Sequence, residues 1–280
     1  MSDLQRRTIT GAVIVLFLLA GFLLHPVSFF LTGAILLTGA MWEYYQIVKL
    51  TGNKALIYQG LCSAIFIYTL STLVAAGLLG SKLLLLVIIV FPVFAISELY
   101  RNDEKPFDSL AHTVFPLFWI VLPFSLFPFA AFGYEGISAI LPHGTLVFSP
   151  GILIGFFLLT WSNDTGAYLV GVSVGKHRLM ERISPKKSWE GFIGGIITAA
   201  VVGWALTDLL GTFDHIHWII ISFIISVTGT YGDLAESMLK RSAGIKDSGK
   251  ILPGHGGFLD RFDSTILSFP LVYLFIILFG

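Results

Sequence analysis

The chain has 280 residues, no formal net charge at neutral pH, 55% hydrophobic residues and only 12% charged ones, with a mean hydropathy of +0.86. Soluble domains carry about 25% charged residues, so the composition excludes an ordinary soluble enzyme and indicates an all-α polytopic integral membrane protein. Cys62 is the single cysteine, which excludes a disulfide framework or a cysteine metal cluster; it reads as a small buried hydrophobe.

Apolar runs near ~20 residues are long enough to span a bilayer. Nine are expected, over 8–24, 28–48, 56–78, 82–98, 112–132, 150–174, 191–210, 216–238 and 262–279. The first follows Arg6-Arg7 as a signal peptide would. No small-x-small cleavage site precedes His25-Pro26, so it reads as a retained helix. Glu43 and Glu98 sit near the ends of early spans beside Trp42 and Tyr100 and read as interfacial and structural. Pro116, Pro123 and Pro128 predict a kinked or broken fifth span. Ser149-Pro150 predicts the start of the sixth, with serine as cap and proline at the first position. Inside that span Ser162-Asn163-Asp164-Thr165 forms a polar patch, and a buried Asp164 there needs a partner that the basic loops could supply. The lack of an internal repeat argues against a secondary transporter. The chain divides into an N-terminal set of spans over 1–149 and a catalytic region over 150–280.

Charge placement orients these spans. With the N-terminus in the cytoplasm, the cytoplasmic segments are 1–7, 49–55, 99–111, 175–190 and 239–261. They hold 16 of the 17 basic residues, leaving only Lys82 outside. That is the bias the positive-inside rule requires, and it puts the two richest loops, 175–190 and 239–261, on one side. His25, His143, His215 and His217 fall on the other, with no metal-ligand partners.

Chemistry concentrates around the second of these loops. At the end of the eighth span, Asp233, Glu236, Ser237 and Lys240 fall at i, i+3, i+4 and i+7, one polar stripe of a helix. Carboxylates within a span are costly and face a cavity or a partner; an internal Asp233–Lys240 pair is the plain alternative. Asp260 and Asp263 open the ninth span three residues apart. With Asp233 on the neighbouring helix they would suit a hard cation such as Mg²⁺, unless Arg261 neutralises the pair. Pro253-Gly254-His255-Gly256-Gly257 permits close approach of backbone amides to an anion, or is simply a turn. Lys240, Arg241 and Lys246 could neutralise phosphates or merely set topology. In the other loop Ser184-Pro185 and Ser188 offer helix starts, Trp189 suits the interface, and Gly191 and Gly195 have the spacing of close helix packing.

The run from Ser237 to Asp263, carrying Lys240-Arg241, Lys246-Asp247, Leu252-Pro253-Gly254-His255-Gly256-Gly257 and Asp260-Arg261-Phe262-Asp263, resembles the signature of the bacterial phosphatidate cytidylyltransferases (CDP-diacylglycerol synthases). Asp164-Thr165-Gly166-Ala167-Tyr168, Gly175-Lys176-His177 and the run from Ser184 to Gly191 are similar to that family too, so the likeness covers about 150–270. It implies a membrane nucleotidyltransferase of phospholipid biosynthesis, in which phosphatidate attacks the α-phosphorus of CTP to give CDP-diacylglycerol and pyrophosphate. It implies Mg²⁺ on Asp233, Asp260 and Asp263, with a monovalent cation such as K⁺ as a possible second ion. Lys240 and His255 would join the catalytic set. Lys240, Arg241, Lys246, Gly256, Gly257, Arg261, Lys186, Lys187 and Asp164 would hold phosphates of either substrate. The implied partners are CTP, phosphatidate, the bilayer and a second copy in a homodimer, with no nucleic acid. The implied place is the bacterial inner membrane, with the site facing the cytoplasm.

Rival classes predict other patterns. A transporter would spread polar residues across several spans at mid-membrane. A CTP-dependent lipid kinase would transfer the γ-phosphoryl group. A CDP-alcohol phosphotransferase would space its aspartates four apart, and a non-catalytic lipid scaffold would make the aspartates dispensable.

Overall fold

A computed structural model of the chain describes residues 3–134, 146–249, 251 and 256–280. His143, Lys250, Leu252, Pro253, Gly254 and His255 lie outside the described residues. The helices in chain order are α1 (Asp3–Leu23), α2 (Pro26–Leu50), α3 (Ile57–Ala75), α4 (Val90–Arg101), α5 (Pro106–Pro116), α6 (Leu122–Ala131), α7 (Gly151–Val174), α8 (Trp189–Leu210), α9 (His215–Ser242) and α10 (Leu259–Phe279). A 3-10 stretch, Ser81–Ile89, leads into α4, and a π-helical turn, Leu117–Val121, joins α5 to α6. The strands are short: β1 (Phe132–Tyr134), β2 (Leu146–Phe148), β3 (Arg178–Met180) and β4 (Ser184–Ser188).

Seven of these helical stretches are long and apolar enough to cross a membrane, which makes this a multi-pass membrane protein. They are Pro26–Leu50, Ile57–Ala75, Ser81–Arg101, Pro106–Ala131, Trp189–Leu210, His215–Ser242 and Leu259–Phe279. Helix α7 has 24 residues, about 36 Å, but Ser162-Asn163-Asp164-Thr165 dilutes its apolar character. The prolines act where expected in the fifth span: Pro116 and Pro123 flank the π turn, a usual site for a kink.

Several local expectations shift. Helix α7 starts one residue later than predicted, with Pro150 at the cap position and no side-chain cap. Ser184 opens a strand instead of a helix, because the chain turns back in a hairpin that pairs Arg178 with Ser188 and Met180 with Ser184. Ser188 does cap α8, its hydroxyl accepting the Gly191 N–H at 3.1 Å. Cys62 is exposed on α3 instead of buried, and Asp164 is exposed on α7.

The chain forms two compact units, residues 1–132 with 242–261, and residues 133–241 with 262–280. Residues 242–261 group with the N-terminal helices. In the first unit Phe29, Tyr44, Tyr45, Tyr68, Phe94, Phe124 and Phe127 are fully buried. In the second, α7 and α8 lie backbone to backbone: a Cβ on Gly191 would stand 2.8 Å from the Ala167 carbonyl, and one on Gly195 2.7 Å from Asn163 Oδ1. The small-residue spacing read from the sequence is thus a packing seam.

Candidate active site

Helix α9 carries two glycines where it meets α10. A Cβ on Gly232 would stand 2.5 Å from the carbonyl oxygen of Asp263, and one on Gly229 3.2 Å from Ser264 Cβ. Only glycine permits that approach, and it sets Asp233, the next residue of α9, beside Asp263 of α10. Helical spacing adds Glu236 on the same face. One carboxylate oxygen from each of Asp233, Glu236 and Asp263 lies within 4.8 Å of the others.

Three carboxylates this close repel one another unless cations intervene. Two lysines do so from different directions. Lys187, at the end of the β3–β4 hairpin, places Nζ 2.5 Å from Asp233 Oδ2. Lys240, one turn further along α9 and buried, pairs with Glu236. The stripe expected on α9 is therefore real, but its pairing is Glu236–Lys240 and Asp233–Lys187 in place of Asp233–Lys240. Ser237 Oγ donates to Asp233 at 3.3 Å and the Ser264 N–H to Asp263 at 2.6 Å. The charges of Asp164 and Lys187 also reach Asp263. Three clustered carboxylates set against two ammonium groups leave a negative excess, which Asp164 enlarges. An all-oxygen donor set with such an excess fits a hard divalent cation.

The hairpin that presents Lys187 is itself tied down. Glu190, in the first turn of α8, accepts the backbone N–H groups of Lys176 at 3.1 Å and His177 at 3.2 Å, and its Oε1 lies 2.5 Å from His177 Nδ1. Lys186 is exposed on the same strand.

A second set of carboxylate contacts belongs to the first unit. Asp260 Oδ2 accepts the N–H groups of Ser248 at 2.9 Å and Gly257 at 2.8 Å, with Ser248 Oγ at 3.0 Å. Glu43, on α2, accepts from Ser248 Oγ at 2.8 Å, from the Phe258 N–H at 3.0 Å and from the Leu259 N–H at 2.9 Å. The Gly257 amide offered to a phosphate by the sequence is thus bonded to Asp260. Gly256 has a φ of +80°, which glycine adopts without strain. Arg241, Lys246 and Arg261 are exposed.

Of the residues predicted for the metal, Asp233 and Asp263 come together. Glu236, seen in the sequence only as part of a stripe, completes their cluster, while Asp260 turns to the Ser248–Gly257 segment. Glu43 was read as interfacial but is 2% exposed.

Residues 5–279 match the family model described as the cytidylyltransferase family. The chain belongs to the cytidylyltransferase family. It is a nucleotidyltransferase enzyme, related to several bacterial phosphatidate cytidylyltransferases. That of Haemophilus influenzae is 34% identical over 284 residues, 95% of this chain and 96% of the relative. That of Staphylococcus aureus (strain COL) is 38% identical over 199 residues, 69% of this chain and 76% of the relative. That of Bacillus subtilis (strain 168) is 47% identical over 125 residues, 44% and 46% of the two chains. For a member of this family, the carboxylate cluster flanked by lysines is where a requirement for a divalent metal would be met.

Proposed function

We propose that the chain is a phosphatidate cytidylyltransferase that makes CDP-diacylglycerol and pyrophosphate from CTP and phosphatidate. An oxygen of the lipid phosphate bonds to the α-phosphorus of CTP, the bond from that phosphorus to the bridging oxygen breaks, and pyrophosphate leaves with the electron pair. The observation that carries this reading is the cluster of Asp233, Glu236 and Asp263 flanked by Lys187 and Lys240, in a chain similar over 95% of its length to an enzyme of that name.

Asp233, Glu236 and Asp263 would hold a hard divalent cation, assigned here as Mg²⁺, which when bound would neutralise charge at the nucleotide phosphates and the leaving group. Lys187 and Lys240 hold those carboxylates in place and, with Lys186, Arg241, Lys246 and Arg261, draw two anionic substrates together. Gly256, Gly257 and His255 are assigned to the substrate phosphates, with the Gly257 N–H set by its bond to Asp260. The lipid phosphate is largely ionised at neutral pH, with a second pKa near ~6 by analogy with phosphoserine, so no dedicated base is required. Near-normal turnover in His255→Asn would bear that out.

The wider reading places nine spans in the bacterial inner membrane, α1 and α7 completing the seven, with a cytoplasmic N-terminus, a catalytic region over 150–280 and a site on the cytoplasmic face. It also takes the enzyme as a homodimer, which mass photometry in nanodiscs tests. Purified protein given phosphatidate, Mg²⁺ and CTP labelled at the α- or γ-phosphate decides the reaction. Entry of α-label into the lipid with pyrophosphate release is expected and K⁺ can be varied alongside; entry of γ-label would make the protein a lipid kinase.

A further inference from the structure

Glu43 lies outside both the acidic cluster and the signature run, yet it bonds to Ser248, Phe258 and Leu259 of that run. Its carboxylate is buried and takes hydrogen bonds only from neutral donors among the described residues: the hydroxyl of Ser248 and the N–H groups of Phe258 and Leu259. Those partners are 205 to 216 residues away in sequence. Phe258 and Leu259 stand at the start of α10, where the first N–H groups have no partner within the helix and favour an anion. Glu43 occupies that anion position from another helix.

The surroundings are shaped for it. A side chain on Gly249 or on Gly257 would collide with the Glu43 carboxyl group. One turn earlier on α2, Gly39 leaves a seat for the ring of Phe258, whose Cγ and Cε2 would both stand 2.8 Å from a Cβ there. One face of α2 therefore receives a ring at Gly39 and two amides at Glu43. Ser248 couples the anchor to Asp260. Its N–H donates to Asp260, and its single hydroxyl proton is shared between Glu43 Oε2 at 2.8 Å and Asp260 Oδ2 at 3.0 Å.

A buried carboxylate with no ionic partner among the described residues is costly to keep. An apolar side chain could have packed the same helix with less expense, but it could not fix the direction of two amides. We propose that Glu43 is a positioning residue for nucleotidyl transfer, anchoring Ser248, Phe258 and Leu259 so that Asp260 and the Gly257 end of the glycine-rich segment are set before CTP arrives. This rests on the assignment of that segment to the substrate phosphates in the preceding subsection.

The experiment compares wild type, Glu43→Gln and Glu43→Ala as full chains in nanodiscs, with Glu98→Gln as a control that removes a different buried carboxylate of the same unit. Hydrogen exchange reads the amides of 257–259, and steady-state kinetics read CTP and Mg²⁺ dependence separately. Loss of charge-assisted hydrogen bonds should raise exchange of those amides by about tenfold or more, with Glu43→Gln between wild type and Glu43→Ala. kcat/KM for CTP should fall by a similar factor, while half-saturation by Mg²⁺ stays within about twofold and the control changes neither. Faster exchange with unchanged CTP kinetics would reduce Glu43 to a structural anchor. Unchanged exchange would show that these contacts do not hold the segment. A parallel shift in Mg²⁺ half-saturation would place the effect at the acidic cluster. A wild type that transfers no α-label sinks the functional reading, and this role with it, whatever the exchange shows.

Discussion

Gly232→Ala tests whether the approach of α9 and α10 builds the metal site. The new methyl carbon would stand 2.5 Å from the Asp263 carbonyl oxygen, whereas carbon–oxygen contacts relax to about 3.3 Å. The helices must therefore part by about 0.8 Å at Asp263, a proposed metal ligand. Metal–ligand distances tolerate only about 0.2 Å, and a misplacement near 1 Å costs on the order of 10²-fold in rate. Gly229→Ala is the internal comparison: its methyl would meet Ser264 Cβ at 3.2 Å, a contact that a few tenths of an ångström relieves. Both substitutions gain up to about 1 kcal/mol of helix propensity, so any difference between them comes from the clash. The assay is CDP-lipid formation at graded Mg²⁺. Gly232→Ala should lose roughly 10- to 100-fold in kcat and need more Mg²⁺, and Gly229→Ala only a few-fold. The reasoning is refuted if Gly232→Ala stays within twofold of wild type, or if Gly229→Ala is the worse of the two.

Asp233→Asn and Asp263→Asn should each reduce turnover by more than ~100-fold, exceeding the usual loss from a group that merely orients a ligand. Calorimetric Mg²⁺ titration should show the lost binding directly, and retained binding in both would empty the cluster of its role. The carboxyl of Asp103 is held below its ordinary value of 3.8 chiefly by the Lys105 N–H, then by Lys54 and Arg101. A depressed carboxyl stabilises the fold above its unfolded pKa and loses that contribution as pH falls through the folded one. Asp103→Asn should thus melt slightly below wild type at pH 7, and the gap should close below pH 3.8; a gap that widens in acid would refute the assignment. Ser188→Ala removes the α8 cap and should cost about 1 kcal/mol, read as a lower melting temperature, with an unchanged melt showing that Glu190 holds that end alone.

Much of the carboxylate cluster was legible because charge is conspicuous in an apolar chain. Asp233 and Asp263 stood out for that reason, and Glu236 shared their stripe by helical spacing. Their lysine partners were not predictable in the same way. Lys240 had two carboxylates within reach along one helix, and Lys187 finds Asp233 only through a hairpin whose strands carry no strong β signal. Asp260 and Asp263 looked like one ligand pair because residues three apart share a helix face. At a helix start the first-turn carboxylate can fold back onto its own loop, and Asp260 does so. Glu43 was missed because a glutamate beside a tryptophan near a span end resembles an interfacial residue. The signal that could have found it was Gly39, one turn away, with Gly249 and Gly257 clearing space in a distant loop. Element ends shifted by one residue at Pro150 and by up to six where α5 starts at Pro106 instead of 112, since helices run past their apolar stretches and competing caps differ by less than local patterning resolves.

The two ion pairs differ in when they can form. Glu236 and Lys240 lie four residues apart on α9, so the helix enters the bilayer with that pair already compensated, avoiding part of the cost that a lone charge carries within a span. Asp233 has no such neighbour on its own helix, and its counterion Lys187 is borne on a segment made earlier by the ribosome. During synthesis the cation is therefore already waiting when the carboxylate arrives, and the site can assemble from the chain's own charges before any metal is bound.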